Sequence, residues 1–278
     1  MKKVKANVPK ARPFLKWAGG KTKLLPELRK RVPASYGTYY EPFLGGGSLF
    51  FDLAPTRARL SDVNSELTCA YHMVRDQVED LIRILHNLEL DYRKHKSEFY
   101  YKMRAIPPIT LKPIERAARM IFLNKTCFNG LYRVNKLGKF NTPEGKFKTF
   151  PLICDENNLR LCSGALGAAD IVCDDFRDAL LSPQSGDFVY LDPPYVPVSD
   201  TASFVGYAKG GFGPKDQKDL VEEAKRLKDR GILVCLSNSG TEKVAELYKD
   251  FEIKTVEMRR NINSRADKRE NVNEYLIW

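Results

Sequence analysis

Asp192, Pro193, Pro194 and Tyr195 set one carboxylate, two residues without backbone donors and one aromatic ring in consecutive positions. Proline locks the chain and cannot donate to a sheet ladder, so this order makes a rigid bracket with free carbonyls and one ring face. A planar amine fits it: Asp192 and a carbonyl accept its two hydrogens while Tyr195 stacks on its ring. Just before the bracket, Phe188, Val189 and Leu191 read as a buried strand within the stretch 185–195. The bracket then lies at a strand's carboxyl end, where open α/β sheets bind their ligands.

A second group of candidates lies near the start. Tyr39-Tyr40-Glu41-Pro42-Phe43 reads as a short strand that breaks into Leu44-Gly45-Gly46-Gly47-Ser48, with a helix beginning at Leu49. Strand, glycine turn and helix let a backbone approach a bound nucleotide closely. Phe50 stands where a dinucleotide fingerprint has its third glycine, so the turn reads equally as a tight structural one. Asp62 ends the short strand Ala58-Arg59-Leu60 seventeen residues after Gly45, near the position of an acid that binds ribose hydroxyls. It also suits a helix N-cap. Gly20-Lys21-Thr22 looks like the end of a phosphate loop, but Leu15 occupies the place of the required first glycine, which excludes a nucleoside-triphosphatase.

The elements that must position these residues alternate. Strands are expected at 39–43, 58–60, 170–176, 188–192, 232–236, 251–256 and 275–278. Helices follow Gly20, Ser48, the loop 199–213 (with Leu220, Val221, Ala224 and Leu227 on one face) and Asn238. This rhythm predicts a doubly wound α/β sheet. Between 65 and 150 the rhythm stops, and the stripe of Leu81, Ile82, Leu85 and Leu88 predicts one helix over 65–103. A second carries Ile114, Ala117, Ala118 and Ile121, so the segment reads as an inserted helical lobe. Within it, Asn129-Gly130 and Gly138-Lys139 mark an exposed loop or hairpin among Phe128, Tyr132 and Phe140. A polar, basic loop spans 259–270.

The chain has 278 residues and a net charge of +11. The excess is concentrated: residues 112–148 hold nine Lys or Arg against two Glu, with Phe128, Tyr132, Phe140 and Phe147 interleaved. Cations for phosphates beside rings for stacking predict a nucleic-acid surface. Residues 1–13 carry Lys2, Lys3, Lys5, Lys10 and Arg12 without an acid and read as a flexible basic arm. Six cysteines show no paired spacing and there are three histidines, which predicts free thiols in a reduced compartment and no metal. The sequence shows neither a signal peptide nor an apolar run long enough for a membrane span, so a cytoplasmic, DNA-associated protein is expected.

Four stretches, in order, carry a resemblance: 14–21 (Phe-Leu-Lys-Trp-Ala-Gly-Gly-Lys), 41–47 (Glu-Pro-Phe-Leu-Gly-Gly-Gly), 128–133 (Phe-Asn-Gly-Leu-Tyr-Arg) and 192–195 (Asp-Pro-Pro-Tyr). Together they resemble the alpha-group (D12 class) DNA adenine-N6 methyltransferases, in particular the Dam-type enzymes and the DpnII-system methylase, over roughly residues 12–278. The resemblance implies a Rossmann-like methyltransferase sheet that uses S-adenosyl-L-methionine and releases S-adenosyl-L-homocysteine. Residues 14–64 plus 151–278 would form the catalytic domain and 65–150 the DNA target-recognition domain, in a monomer acting on double-stranded DNA.

It further implies site residues. Trp17, Lys21, Glu41, Pro42, Phe43, Gly45, Gly47, Asp62 and Asp192 match cofactor-contacting positions, Asp62 on the ribose, with Asp174 and Phe176 at the adenine ring. Asp192, Pro193, Pro194 and Tyr195 match the catalytic motif. Phe128, Asn129, Gly130, Leu131, Arg133, Asn135, Pro143, Lys146 and Phe147 match the DNA-contacting segment, with Phe128 as a wedge and Arg133 reading a guanine. Arg133 and Pro143 together imply GATC. Lys146 and Phe147 stand where several relatives have Arg and Tyr, which bears on affinity more than on chemistry. A structured-RNA adenine methyltransferase and a non-catalytic DNA-binding regulator on the same fold are the alternatives.

Overall fold

A computed structural model describes residues 9–135, 137–195, 211–259 and 271–278. Most of the basic arm, most of the loop 199–213 and nearly all of the loop 259–270 lie outside the described residues.

Seven strands form one sheet: β1 (Tyr39–Glu41), β2 (Ala58–Ser61), β3 (Ala169–Val172), β4 (Phe188–Leu191), β5 (Leu233–Ser239), β6 (Ile253–Arg259) and β7 (Asn271–Ile277). Their order is β3-β2-β1-β4-β5-β7-β6. The first five run parallel, and β7 inserts antiparallel between β5 and β6. From β1 the chain moves outward to β2 and β3, then returns to lay β4 on the other side of β1. The strand order therefore reverses between β1 and β4, and a crevice opens at their carboxyl ends. Glu41 ends β1 and Asp192 follows β4. The doubly wound expectation holds as a Rossmann-like sheet. The last two strands are longer than the sequence suggested, because an antiparallel edge pair can alternate polar and apolar residues and so hides its ends from an apolar-run reading.

Alternate side chains on each strand enter different cores. Tyr39, Phe188, Tyr190 and Cys235 face one, whereas Tyr40, Val189, Leu191 and Leu236 face the other. The first core is covered by α1 (Leu25–Leu28), α2 (Ser48–Leu53), α3 (Ser65–Asp76), α4 (Val78–Ala105), α5 (Pro113–Thr126) and α6 (Glu156–Leu166). The second takes α7 (Phe176–Ala179), α8 (Pro214–Asp229) and α9 (Glu242–Leu247). The helix expected over 65–103 is two: Gln77 interrupts it with an extended φ of −139°, and α4 bends again at Lys96, whose φ is +43°. Leu67, Ala70 and Tyr71 of α3 share their core with Phe14 and Phe51, so the inserted helices and the sheet rest on one continuous apolar interior. The predicted hairpin is present as two antiparallel bridges, Val134 with Phe140 and Cys127 with Glu144.

Asn124, near the end of α5, ties that helix to the N-terminal segment. Its Oδ1 accepts from Lys16 N–H at 2.8 Å, and its Nδ2 donates to the carbonyls of Lys16 at 2.8 Å and Gly130 at 3.0 Å. Asn124 is 2% exposed, so each partner would be left without water if the amide were removed. Asn124→Ala is expected to lower stability by about 2–4 kcal/mol. Urea unfolding checks this: the midpoint moves down at unchanged slope.

Candidate active site

One cavity of about 330 Å³ fills the crevice between β1 and β4. Its wall joins three stretches far apart in sequence: 17–21, 41–49 and 192–195. Asp62, Phe176 and Phe212 complete it. The structure thus brings together every residue that the family resemblance assigned to cofactor or catalysis, with one exception. Asp174 does not line the cavity. Its carboxylate lies 3.8 Å from Arg59, and the wall carries Asp175 instead, which caps α7 by accepting from Arg177 N–H at 3.0 Å.

The glycine turn is shaped by what lies against it. Gly45 has φ +48°, and a Cβ there would sit 2.8 Å from the Trp17 ring; Gly47 has φ +64° and faces the Tyr71 hydroxyl at 2.9 Å. Side chains are excluded twice over, by backbone conformation and by space. Asp62 fixes the turn from β2: its Oδ2 accepts from Gly45 N–H at 3.1 Å and its Oδ1 from Asn64 N–H at 2.9 Å. Capping of α3 falls to Asn64, whose side chain accepts from Glu66 and Leu67 N–H, so Asp62 is not the cap. Beside the turn, Phe43 stacks on Phe176 with ring centroids 5.4 Å apart, and Phe212 meets both rings by edge and tilt.

At the opposite end, Asp192 Oδ1 lies 2.8 Å from the Lys21 ammonium and accepts from the Ser237 hydroxyl at 2.9 Å. Burial raises the Asp192 carboxyl above its ordinary range, and Lys21 and Ser237 pull it back. Lys21 is 4% exposed and lies 4.6 Å over the Tyr195 ring. The Tyr195 hydroxyl donates to Glu274 of β7 at 3.2 Å, and Gln217 donates to the Pro194 carbonyl at 2.9 Å. Pro193 lines the same wall. Ser237, Glu274, Gln217, Phe212 and Asp175 received no role from the sequence. Ser237-Asn238 stood out only as a strand end, and Glu274 lay just before the expected last strand, 275–278.

The cavity floor is acidic. Burial pushes Glu41 from 4.5 up to about 8 despite a 2.8 Å bond from the Tyr39 hydroxyl, and burial pushes Asp62 from 3.8 to about 6.

The DNA-segment residues form a separate surface beside this cavity. Phe128 is 51% exposed at a tight turn, and Asn129 there has φ +56°. Gly130 is buried against the Lys16 side chain, and Leu131 is half-buried. Arg133 Nε donates to Asn141 Oδ1 at 2.8 Å, which fixes the guanidinium's direction. Asn135 Oδ1 accepts from Leu137 and Lys139 N–H, closing the hairpin tip, while the Pro143 carbonyl accepts from Phe128 N–H at 2.9 Å. Lys146 and Phe147 are exposed. Tyr132 joins the two sites, stacking on Trp17 at 5.2 Å between centroids.

Residues 17–262 match the D12 class N6 adenine-specific DNA methyltransferase family. The chain belongs to that family. It is 40% identical over 272 residues to Type II methyltransferase M1.LlaDCHI of Lactococcus lactis subsp. cremoris, covering 96% of this chain and 94% of the relative. Type II methyltransferase M.MjaIII of Methanocaldococcus jannaschii is 41% identical over 285 residues, at 96% and 98% coverage. The DNA adenine methylase of Escherichia coli K12 is 34% identical over 269 residues, at 96% and 95%. As a member of the adenine-specific DNA methyltransferases, the chain has DNA as its substrate class, and the RNA-directed and non-catalytic readings fall away. No helix among the described residues is long and apolar enough to cross a membrane.

The Glu41 environment in this methyltransferase has a consequence for stability. Unfolded Glu41 ionises near 4.5 and folded Glu41 only near 8, so between these values the folded state holds the extra proton and stability falls as pH rises. Asp62 adds a similar loss that ends at about 6. Between about 6 and 8 Glu41 contributes to the decline, and Glu41→Gln is expected to make it shallower. Melting temperature against pH for the two proteins measures this.

Proposed function

We propose that this DNA adenine methyltransferase takes its methyl group from S-adenosylmethionine and delivers it to N6 of an adenine flipped out of duplex DNA, in the sequence GATC. The observation that carries the reading is that the Asp192–Tyr195 bracket and the Asp62-held glycine turn open into a single cavity.

The residues present fit this cofactor. It is a nucleoside bearing a sulfonium and an amino group, and the cavity offers an acidic floor, a cluster of Phe43, Phe176 and Phe212 suited to an adenine ring, and a carboxylate beside a side-chain-free turn. Asp62 would hold the ribose hydroxyls, and Trp17 and the 41–47 turn would cover the remainder. When bound, the cofactor supplies an electrophilic methyl group.

The chain's own groups prepare the nucleophile. The N6 lone pair of adenine is delocalised into the ring and reacts poorly. Asp192 Oδ1 is already engaged by Lys21 and Ser237, which leaves Oδ2 and the Pro193 carbonyl to accept the two N6 hydrogens. Accepting both lets the nitrogen pyramidalise, and the same preoriented acceptors stabilise the positive charge that grows there. Tyr195 holds the ring by stacking, so positioning contributes alongside the electrostatics. Lys21 now lies over that ring face, and entry of the base requires its ammonium to withdraw toward the Gly19 carbonyl, with which it already bonds. The proton released after transfer leaves to solvent. An adenine within a duplex cannot reach this bracket, so it must be extruded, with Phe128 filling the gap in the stack.

Residues 65–150 are the proposed recognition region of a cytoplasmic monomer, and Arg133 with Pro143 supports GATC, since a guanidinium held by Asn141 is preoriented for guanine O6 and N7. Incubating GATC-containing duplex DNA with the enzyme and S-adenosylmethionine, then digesting with a nuclease blocked by GATC adenine methylation, tests this: protection is expected, and full cleavage overturns GATC. Asp192→Ala is expected to reduce tritiated-methyl transfer at least roughly a hundredfold while the variant still shifts DNA in a gel. Transfer at the wild-type rate would remove Asp192 from the mechanism.

A further inference from the structure

We propose that Ser237 is a positioning residue for the transfer, holding the Asp192 carboxylate in one orientation through a one-way hydrogen-bond chain that begins at Tyr190. This deepens the reading of Asp192 as the amine acceptor and rests on it.

The need for such a residue comes from the prolines. In the parallel ladder Leu191 is opposite Leu236, and this pair is the last between β4 and β5. Pro193 and Pro194 have no N–H to continue it. Asp192 therefore lies one step beyond the last residue that the sheet aims, and its neighbour across the strands, one step beyond Leu236, is Ser237. Unlike Asp192, Ser237 is still inside its strand, since β5 runs on to Ser239, and it pairs there with Leu276 of β7. It has no exposed surface. A residue fixed by the sheet thus supplies what the ladder cannot, a bond of 2.9 Å from its hydroxyl to Asp192 Oδ1.

The direction of the chain is determined by chemistry. An ionised Asp192 can only accept, so the single Ser237 proton goes to it. The Tyr190 hydroxyl, 2.9 Å from Ser237 Oγ, must then donate. Burial keeps the Tyr190 phenol well above its ordinary range, so it stays a donor. Tyr190 and Cys235 both enter the core on one face of the sheet, and Ser237 and Asp192, two residues further along each strand, lie on that same face. Lys21 also reaches Oδ1, but on a flexible stem with further partners at Gly19 and over Tyr195, and base entry moves it. Ser237 is the partner that can remain through the reaction.

The groups facing Asp192 are Lys21 before α1, Glu41 at the end of β1, Tyr190 and Tyr195 on its own stretch, Glu274 on β7, and Ser237. Replacing Ser237 alone removes a donor to the ionised form and leaves the other five in place, so the Asp192 carboxyl rises and the acid limb of the kcat/KM profile moves to higher pH.

The test compares Ser237→Ala, Ser237→Thr and Tyr190→Phe with the wild type, using S-adenosylmethionine and duplex DNA. For Ser237→Ala, kcat is expected to fall roughly ten- to a hundredfold, as when a partner that orients a reacting ligand is lost, with KM for both substrates nearly unchanged. Ser237→Thr restores most of the rate, and Tyr190→Phe gives a smaller loss in the same direction. The Asp192 carboxyl is titrated separately by 13C NMR in the unliganded proteins, with Asp192→Asn for assignment; a higher midpoint in Ser237→Ala is expected. An unmoved midpoint overturns the proposal, as does an unmoved kcat in an active wild-type background. If the wild type methylates no adenine, the proposed function fails, and the NMR midpoint still decides whether Ser237 governs the carboxylate. If Ser237→Ala does not fold, Tyr190→Phe carries both measurements, and its equality with wild type in both overturns the proposal.

Discussion

The site depends on a carboxylate at the end of a strand that cannot continue. Asp192 follows a fully buried four-residue strand and precedes two prolines, so it is held in place without ladder bonds of its own. Enclosing an anion is costly unless it is paired and hydrogen-bonded, and Lys21 and Ser237 both answer that need on the same oxygen. Such a pair is a poor device for stability, because well-packed apolar residues of similar volume serve as well or better. Its presence is better explained by what the remaining oxygen accepts. The raised carboxyls of Glu41 and Asp62 in the same cavity support this: burial opposes the ionisation of all three acids, the Asp192 charge adds to it at Glu41, and a fold selected for stability alone would leave such groups in water.

That carboxylate draws the architecture around it. The strand order reverses between β1 and β4, so no crossover covers their carboxyl ends, and the glycine turn after β1 and the bracket after β4 can face each other. Alternate residues of β4 enter opposite cores, which leaves Tyr190 on the same side as Asp192 and its hydroxyl within reach of Ser237. Antiparallel β7 then carries Glu274 to the Tyr195 hydroxyl. The next two strands of the sheet, β5 and β7, thus reach the bracket with side chains.

Much of this was legible in the sequence, and what was not shares a cause. Asp192–Tyr195, Gly45, Gly47 and Asp62 declare themselves because prolines, positive-φ glycines and a strand-end acid each restrict local geometry. The alternation of strands and helices declares the doubly wound sheet for the same local reason. Ser237 and Glu274 carry no local mark: a serine in a buried strand and a glutamate in an alternating strand become informative only once β5 is known to flank β4 and β7 to flank β5. Asp174 and Asp175 are hard to tell apart in sequence because adjacent acids at a strand end differ only in which one the next helix takes as its cap; here the cap is Asp175, paired with Arg177, while Asp174 lies near Arg59. The break at Gln77 was hidden because the apolar stripe continues across it.

The stretch 14–21 does more than line a pocket. Its Trp17 ring covers the glycine turn so closely that Gly45 can have no side chain, and the same ring stacks on Tyr132, next to Arg133. One residue earlier, Lys16 is clamped through its backbone by Asn124, while its side chain fills the space that a Cβ on Gly130 would need. Asn124 in turn holds the Gly130 carbonyl. The wall of the proposed cofactor site and the base of the proposed DNA-contacting segment therefore meet at two adjacent residues, Trp17 through its ring stack on Tyr132 and Lys16 through the buried Asn124 amide. A displacement of either one has to be shared by the other, because neither the clamp nor the stack has slack to absorb it. In such a joint, the geometry of the proposed DNA-contacting segment and that of the proposed methyl-donor site are set together.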